Sequence, residues 1–352
     1  MTSAVWHGAF RYVAGALTIG LAEEGTLWSG QHESIGTLRG YGQGVVWNYE
    51  QRRVLMATAW ALERPDFFVD PERVHIWGQS AGWALRHGDV YAVVMSDGHN
   101  NYRTSREGMK HAWKWGPPGG GRNWLGVNHL DYLDLARWVR DNPAIELPFW
   151  IGAPAYGTFP SHALGDFGFK PWQEFLSAMM ETRRAFAATW MSNGPGDTTG
   201  VMQEMVPQIR LHQSLPAFSR GSLDARPLTD EPKGQYHPGK WDQDFQRHAD
   251  KEGGTNLYLR WHTDSIADEA DRWEMTVFLT TKAPADTCTV DITPRRSQKF
   301  RATPGERFKW SNTSLAGQRE LQSGEVVADA SGLVTLEKVV VDKSRNRIRI
   351  WR

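Results

Sequence analysis

The sequence predicts an α/β domain followed by an all-β domain, and three observations support this prediction. Across residues 1–212, short apolar runs alternate with segments of helical periodicity, which is the pattern of a mostly parallel sheet flanked by helices. From residue 255 to residue 352, short β runs are separated by Gly, Pro, Asn and Asp, which is the pattern of an antiparallel β-sandwich. Residues 213–254 are rich in Pro, Gly, Asp and Lys, so we expect a linker or wrapping segment there.

The composition is that of a globular protein and excludes several classes of function. Lys plus Arg and Asp plus Glu each number 40 among 352 residues, so no basic field predicts binding to nucleic acid. The single Cys288 excludes an internal disulfide framework. No apolar run approaches the length of about 18 residues that would predict a membrane span. The start of the chain shows no signal peptide, so the compartment is left open by this evidence.

The elements of the first domain follow from short apolar runs and from apolar residues at helical spacing. The predicted strands are 17–21, 74–77, 91–95, 148–153 and 184–191. The predicted helices are 47–63, 131–139 and 172–180, the last with Pro171 at its start.

The chemistry of the first domain is predicted by Gly78-Gln79-Ser80-Ala81-Gly82, which follows the second of these strands. Two glycines allow a sharp turn between a strand and a helix, and such a turn lifts a serine hydroxyl clear of the sheet. Ser80 is therefore the leading candidate for a nucleophile. The alternative is a Gly-Ser turn of an α/β sheet without any catalytic role.

The second domain is predicted from runs in which apolar and polar residues alternate, as in Cys288-Thr289-Val290-Asp291-Ile292. The predicted β runs are 257–262, 275–281, 287–293, 307–310, 333–341 and 347–351. None of them carries a catalytic constellation, so this domain is expected to bind a glycan or to cap the first domain.

The stretch from Asp70 through Gly82 and on to Ala92 resembles the nucleophile region of α/β-hydrolase esterases of the polyester-depolymerase, feruloyl-esterase and prolyl-oligopeptidase-like kind. The resemblance implies an α/β-hydrolase-type sheet and a serine hydrolase. In that family a helix of three or four turns follows the serine. Here only Ala81 to Trp83 separate Ser80 from the next matching stretch, so the helix is expected to be about two turns short.

The resemblance also implies the groups that would stabilise an oxyanion. Such groups are backbone amides directed at the carbonyl oxygen that becomes negative in the transition state. One is the amide after the nucleophile, that of Ala81. The other belongs to the His7-Gly8 segment and is expected at Gly8 or just after it, at Ala9 or Phe10. If this match is correct, the strands that precede this segment in the family are absent.

The acid and the base of the triad are expected in later loops. Asp166 matches the position of the family's acid, and its alternative role is that of an ordinary residue near a helix start. The loop expected to hold the histidine, 192–200, contains none. His212 is the nearest later histidine, and the more distant histidines are His99, His162 and His237.

The resulting prediction is a serine hydrolase that cleaves carboxylic esters through an acyl-enzyme on Ser80. Its substrate would be a small-molecule or polymeric ester, glycan-linked esters included, and no metal or organic cofactor is implied. One alternative is a serine peptidase, since the same apparatus cleaves amides. The other is a catalytically impaired hydrolase-derived protein that binds a glycan or a partner.

Overall fold

The computed structural model describes residues 16–20, 30–78, 81–96, 112–116, 121–152, 169–189, 200–224 and 254–352. Their strands are β1 (Gln31–His32), β2 (Val46–Trp47), β3 (His75–Trp77), β4 (Val93–Ser96), β5 (Phe149–Gly152), β6 (Phe186–Thr189), β7 (Leu215–Ser219), β8 (Gly254–Thr255), β9 (Leu259–Asp268), β10 (Arg272–Leu279), β11 (Thr287–Arg295), β12 (Arg307–Ser314), β13 (Arg319–Val327), β14 (Leu336–Asp342) and β15 (Asn346–Trp351).

Helices are fewer than strands in the described residues. The α-helices are α1 (Tyr49–Leu62), α2 (Ala112–Trp115), α3 (His129–Leu133), α4 (Leu135–Asp141), α5 (Phe169–Glu181) and α6 (Val201–Met205). The 3₁₀ segments are Tyr41–Gln43, Pro65–Phe67, Pro71–Arg73, Ala81–Arg86 and Val206–Gln208. Within the described ranges, no helix is long and apolar enough to cross a membrane.

The α/β part is built on a five-stranded sheet of order β3-β4-β5-β6-β8, in which the first four strands are parallel and β8 is antiparallel. Side chains alternate between its faces, as the two-residue period of a strand requires. Val94, Trp150 and Phe186 share one apolar cluster with residues of α4 and α5. Met95 and Phe149, on the other face, belong to a second cluster. Both faces of the parallel strands are therefore buried.

The C-terminal part consists of two antiparallel sheets of order β13-β12-β15-β10-β9 and β14-β11-β7. Their inner side chains, among them Val277 of β10, Val339 of β14 and Ile348 of β15, lie in a common apolar cluster. This arrangement is the predicted β-sandwich. Strand β7 lies within residues 213–254, where the sequence predicts a linker or wrapping segment, and it pairs with β11 from Ser219 to Leu215.

The sandwich and the second face of the parallel sheet share one core. Trp261 of β9 packs edge-to-face on Phe149 of β5, with ring centroids 5.5 Å apart, and lies 6.1 Å from the ring of Phe218 of β7. Buried Arg296 joins the two parts again, because it donates to the carbonyl oxygen of Ala92 at 3.2 Å and to that of Leu211 at 2.5 Å. The β-sandwich thus covers this face of the sheet together with α6, whose Val201, Met202 and Met205 lie in the same cluster.

The predicted α/β content, the mainly parallel sheet and the antiparallel C-terminal sheets are confirmed. Helix α1 and strands β4 and β5 lie where apolar periodicity predicts them. The described part of the predicted first strand, residues 17–20, is instead exposed and forms no strand. Strand β13 was not predicted.

Candidate active site

The Gly-x-Ser-x-Gly motif follows β3 at the edge of the parallel sheet. The backbone amide of Gly78 donates to the carbonyl oxygen of Met95 at 3.2 Å, so the β3–β4 ladder continues one residue beyond Trp77. A 3₁₀ helix begins at Ala81 and ends at Arg86. Ser80 itself lies outside the described residues, but the strand before it and the helix after it are the flanks that the motif requires.

The 3₁₀ helix after the motif is short and buried. Its residues Ala81 to Leu85 are all buried, and Ala81, Trp83 and Leu85 belong to the apolar cluster beneath the sheet. Six residues of 3₁₀ helix span about 12 Å, because each residue rises about 2.0 Å. A short helix after the motif is what the sequence predicts, and its length relative to the resembled family stays a prediction.

The amide of Ala81 is engaged in the structure. It donates to the carbonyl oxygen of Gly78 at 3.1 Å. An oxyanion donor must be free to point at the oxygen that becomes negative. The predicted role of Ala81 therefore requires that this bond open when substrate binds.

Small residues end β4, which neighbours β3, and β5, which follows it in the sheet. Ser96 ends β4 and Gly152 ends β5, and they are register partners at the carboxyl edge of the sheet. The indole nitrogen of Trp150 donates to Ser96 Oγ at 3.0 Å. A Cβ on Gly152 would overlap the ring of Trp150, so only glycine fits there. In open α/β sheets this edge carries the ligand crevice, and the strand-end residues Ser96 and Gly152 could have marked it in the sequence.

His212 lies at the amino-terminal side of β3. Its ring nitrogen Nδ1 is 2.7 Å from Glu72 Oε1, and its backbone amide donates to Glu72 Oε2 at 3.0 Å. The hydrogen bond from His212 lowers the pKa of the Glu72 carboxyl below its usual value. Glu72 precedes β3 in the chain, whereas Ser80 follows the strand's carboxyl end. His212 can serve Ser80 as a base only if it leaves Glu72.

His75, the first residue of β3, has a structural role. Burial lowers the pKa of its imidazole to about 4, and the backbone of Ile209 bonds the ring. A group that stays neutral down to this pH and faces a backbone carbonyl is held for packing rather than for proton transfer.

A serine–histidine pair that the sequence analysis did not consider lies near the start of the described chain. Ser34 Oγ is 2.9 Å from His32 Nδ1, and the Ser34 backbone amide donates to the same nitrogen at 3.1 Å. Both side chains are buried. The two bonds close a local turn, which explains the pair without catalysis.

The remaining predicted groups lie outside the described residues. These are Ser80, the predicted acid Asp166, the oxyanion residues Gly8 and Ala9, and the histidines His99, His162 and His237. Within the part of the chain that is described, no three His, Cys, Asp or Glu side chains are grouped closely enough to hold a metal ion.

Comparison of the chain with protein-family models, with curated proteins and with solved structures found no match. The argument about function therefore depends on the motif and on the geometry around it.

Proposed function

We propose that this protein is a serine hydrolase that cleaves carboxylic esters through an acyl-enzyme on Ser80. The observation that supports the proposal is the position of the motif: Gly78 continues a parallel strand, and Ala81 begins a helix. A nucleophilic serine of this motif needs that strand–turn–helix setting, with the hydroxyl at the carboxyl edge of the sheet.

The reaction would proceed in two steps. Ser80 Oγ attacks the ester carbonyl while a histidine accepts its proton, and the imidazolium then protonates the leaving alcohol. A water molecule releases the acid from Ser80 by the reverse proton path. Asp166 would orient the histidine, and the amides of Ala81 and of the Gly8–Ala9 segment would hold the oxyanion. The substrate would be a small or polymeric ester, with glycan-linked esters among the candidates.

A binding protein derived from a hydrolase is the second candidate, and two observations favour it. The Ala81 amide already bonds the Gly78 carbonyl, and His212 is held by Glu72 away from the carboxyl end of β3. A serine without an adjacent base is a weak nucleophile.

Labelling with a fluorophosphonate probe separates the two candidates. We expect one adduct per chain by intact mass, its loss in Ser80→Ala, and its retention in Ser311→Ala, which alters a serine of the sandwich. Turnover of a short p-nitrophenyl ester should fall with the label, by at least about a hundredfold. Absence of an adduct on protein with native circular dichroism would exclude the esterase and leave the binding protein.

The base is then identified by substitution. Each of His99, His162, His212 and His237 is changed to Asn in turn. The base is the histidine whose loss abolishes both labelling and turnover while the free energy of unfolding stays unchanged. An unaffected His212→Asn variant would show that the Glu72 pair is purely structural.

A further inference from the structure

Exposed large apolar side chains recur in two stretches of the α/β part. More than half of the large apolar side chains exposed in the described residues lie in two stretches, 49–68 and 125–127. Single exposed apolar residues are common on protein surfaces, whereas a contiguous group marks an interaction site.

Helix α1 contributes the first part of this surface. Tyr49 is 54% exposed, Met56 70% and Trp60 51%, and spacings of seven and four residues place them on one side of the helix. Among the residues of α1, Gln51 and Ala61 are the buried ones. This helix therefore turns large apolar side chains toward solvent.

A tight loop contributes the second part. Leu125 is 62% exposed and Val127 46% exposed. The side chain of Asn123 accepts hydrogen bonds from the backbone amides of both, at 3.0 and 3.2 Å, and Gly126 between them has the positive φ that such a turn needs. The loop thus holds two apolar side chains out of the protein instead of folding them inward.

Two tryptophans join the helix to the loop. Trp47 and Trp124 stack with ring centroids 6.2 Å apart and an interplanar angle of 13°, and the ring of Trp47 lies 6.3 Å from that of Tyr49. We call Trp47, Tyr49, Met56, Trp124, Leu125 and Val127 the docking face.

Two arginines flank the docking face. The guanidinium of Arg52 lies 5.3 Å from the centroid of the Trp47 ring, and that of Arg122 donates to the Gly126 carbonyl at 2.7 Å. In the described part of the chain neither forms an ion pair, unlike Arg53, which pairs with Glu50 at 2.7 Å. Two carboxylates adjoin the docking face and both are engaged: Glu33 accepts a hydrogen bond from the Trp47 indole nitrogen, and Glu50 pairs with Arg53. The exposed carboxylate of Glu63 lies about 16 Å farther along the axis of α1 than Arg52, given a rise of 1.5 Å per residue.

We propose that the docking face binds the surface of an anionic lipid layer. Tyrosine and tryptophan favour the interface between head groups and acyl chains, the aliphatic side chains of Leu125 and Met56 would enter the apolar region, and the arginines would meet the anionic head groups. A second copy of the chain fits this face less well, because a two-fold contact would gather four arginines, Arg52 and Arg122 of each copy, into one interface. This proposal does not depend on catalysis by Ser80.

The test is sedimentation of the full chain with vesicles of phosphatidylcholine, alone or with about one third phosphatidylglycerol. We expect binding to the anionic vesicles only, with a blue shift of tryptophan emission, and its loss at about 1 M salt. Arg52→Gln with Arg122→Gln should weaken binding about 25-fold, since each arginine near the surface contributes about fivefold. Met56→Ser with Leu125→Ser should weaken it at least about tenfold.

The matched controls lie on the sandwich. Arg319→Gln and Leu315→Ser alter an exposed cation and an exposed apolar side chain there, and both should bind as the unaltered protein does. Failure to bind anionic vesicles would overturn the proposal, and so would binding that the docking-face variants leave unchanged. A dimer in sedimentation equilibrium that Met56→Ser dissociates would assign the face to a second copy instead.

Discussion

Two partly buried ionisable side chains give the stability of this protein opposite dependences on pH. Burial lowers the pKa of His75 from 6.5 to about 4, so the unfolded chain binds a proton between these values that the folded chain does not. Burial raises the pKa of Asp224 from 3.8 to about 6, so there the folded chain binds the extra proton. As pH falls through this shared window, His75 destabilises the fold and Asp224 stabilises it.

Because the two effects oppose each other, the pH dependence of the stability of the unaltered protein does not test them. The prediction therefore concerns the difference in free energy of unfolding between each variant and the unaltered protein. As the pH falls from about 6.5 to about 4, we expect the free energy of unfolding of His75→Gln to rise by about 2 kcal/mol relative to that of the unaltered protein. Asp224→Asn should lose relative stability over the same window. Urea unfolding at several pH values measures both differences, and parallel curves for all three proteins would contradict the assignment.

At the candidate active site the sequence predicts a nucleophile but not its base. Ser80 is proposed from a local pattern, because the two glycines and the strand before it are neighbours in the chain. A catalytic histidine comes from a distant segment and has no required spacing, so His212 was chosen by chain order alone. The contact of His212 with Glu72 depends on tertiary packing that no local pattern reports.

Among the elements, those predicted with the clearest signal are fully buried strands or helices with one apolar face. Strands β4 and β5 are buried throughout and mostly apolar, and α5 has strong helical periodicity. Strand β13 was missed because it lies at the edge of its sheet and is largely exposed on both sides. Strand β7 was missed because it is short and contains Pro216, which is unusual in a strand except at an edge, the position that β7 occupies.

The 3₁₀ helix after Ser80 gives a prediction at the scale of one element. Leu85 is completely buried in the cluster that contains Val94, Trp150 and Phe175, so Leu85→Ala leaves a cavity beneath β4 and β5. We expect a loss of about 3 kcal/mol in the free energy of unfolding by urea. Leu125→Ala, at an exposed position, should change it by less than about 0.5 kcal/mol. Similar small losses in both variants would show that the short helix is loosely packed.

For the whole molecule, the shared core implies that the two parts fold together. Met95 and Phe149 of the parallel sheet lie in the same apolar cluster as Val277 and Ile348 of the sandwich. Removing the sandwich would expose much of this face of the sheet, which only the short helix α6 also contacts among the described helices, and the exposed apolar area would destabilise the remainder. The C-terminal part is thus a structural cover of the α/β part, whatever else it binds.

A substitution of Trp261 tests whether the two parts unfold together, because this residue packs between Phe149 of the sheet and Phe218 of the sandwich. We expect a single calorimetric transition for the full chain, and Trp261→Ala should lower its midpoint as a whole, with a cost of about 4 kcal/mol. Trp351→Ala, a partly exposed position on β15, should cost less than half as much. Two resolved transitions, of which Trp261→Ala lowers only one, would mean that the sandwich and the parallel sheet are independent domains despite their common core.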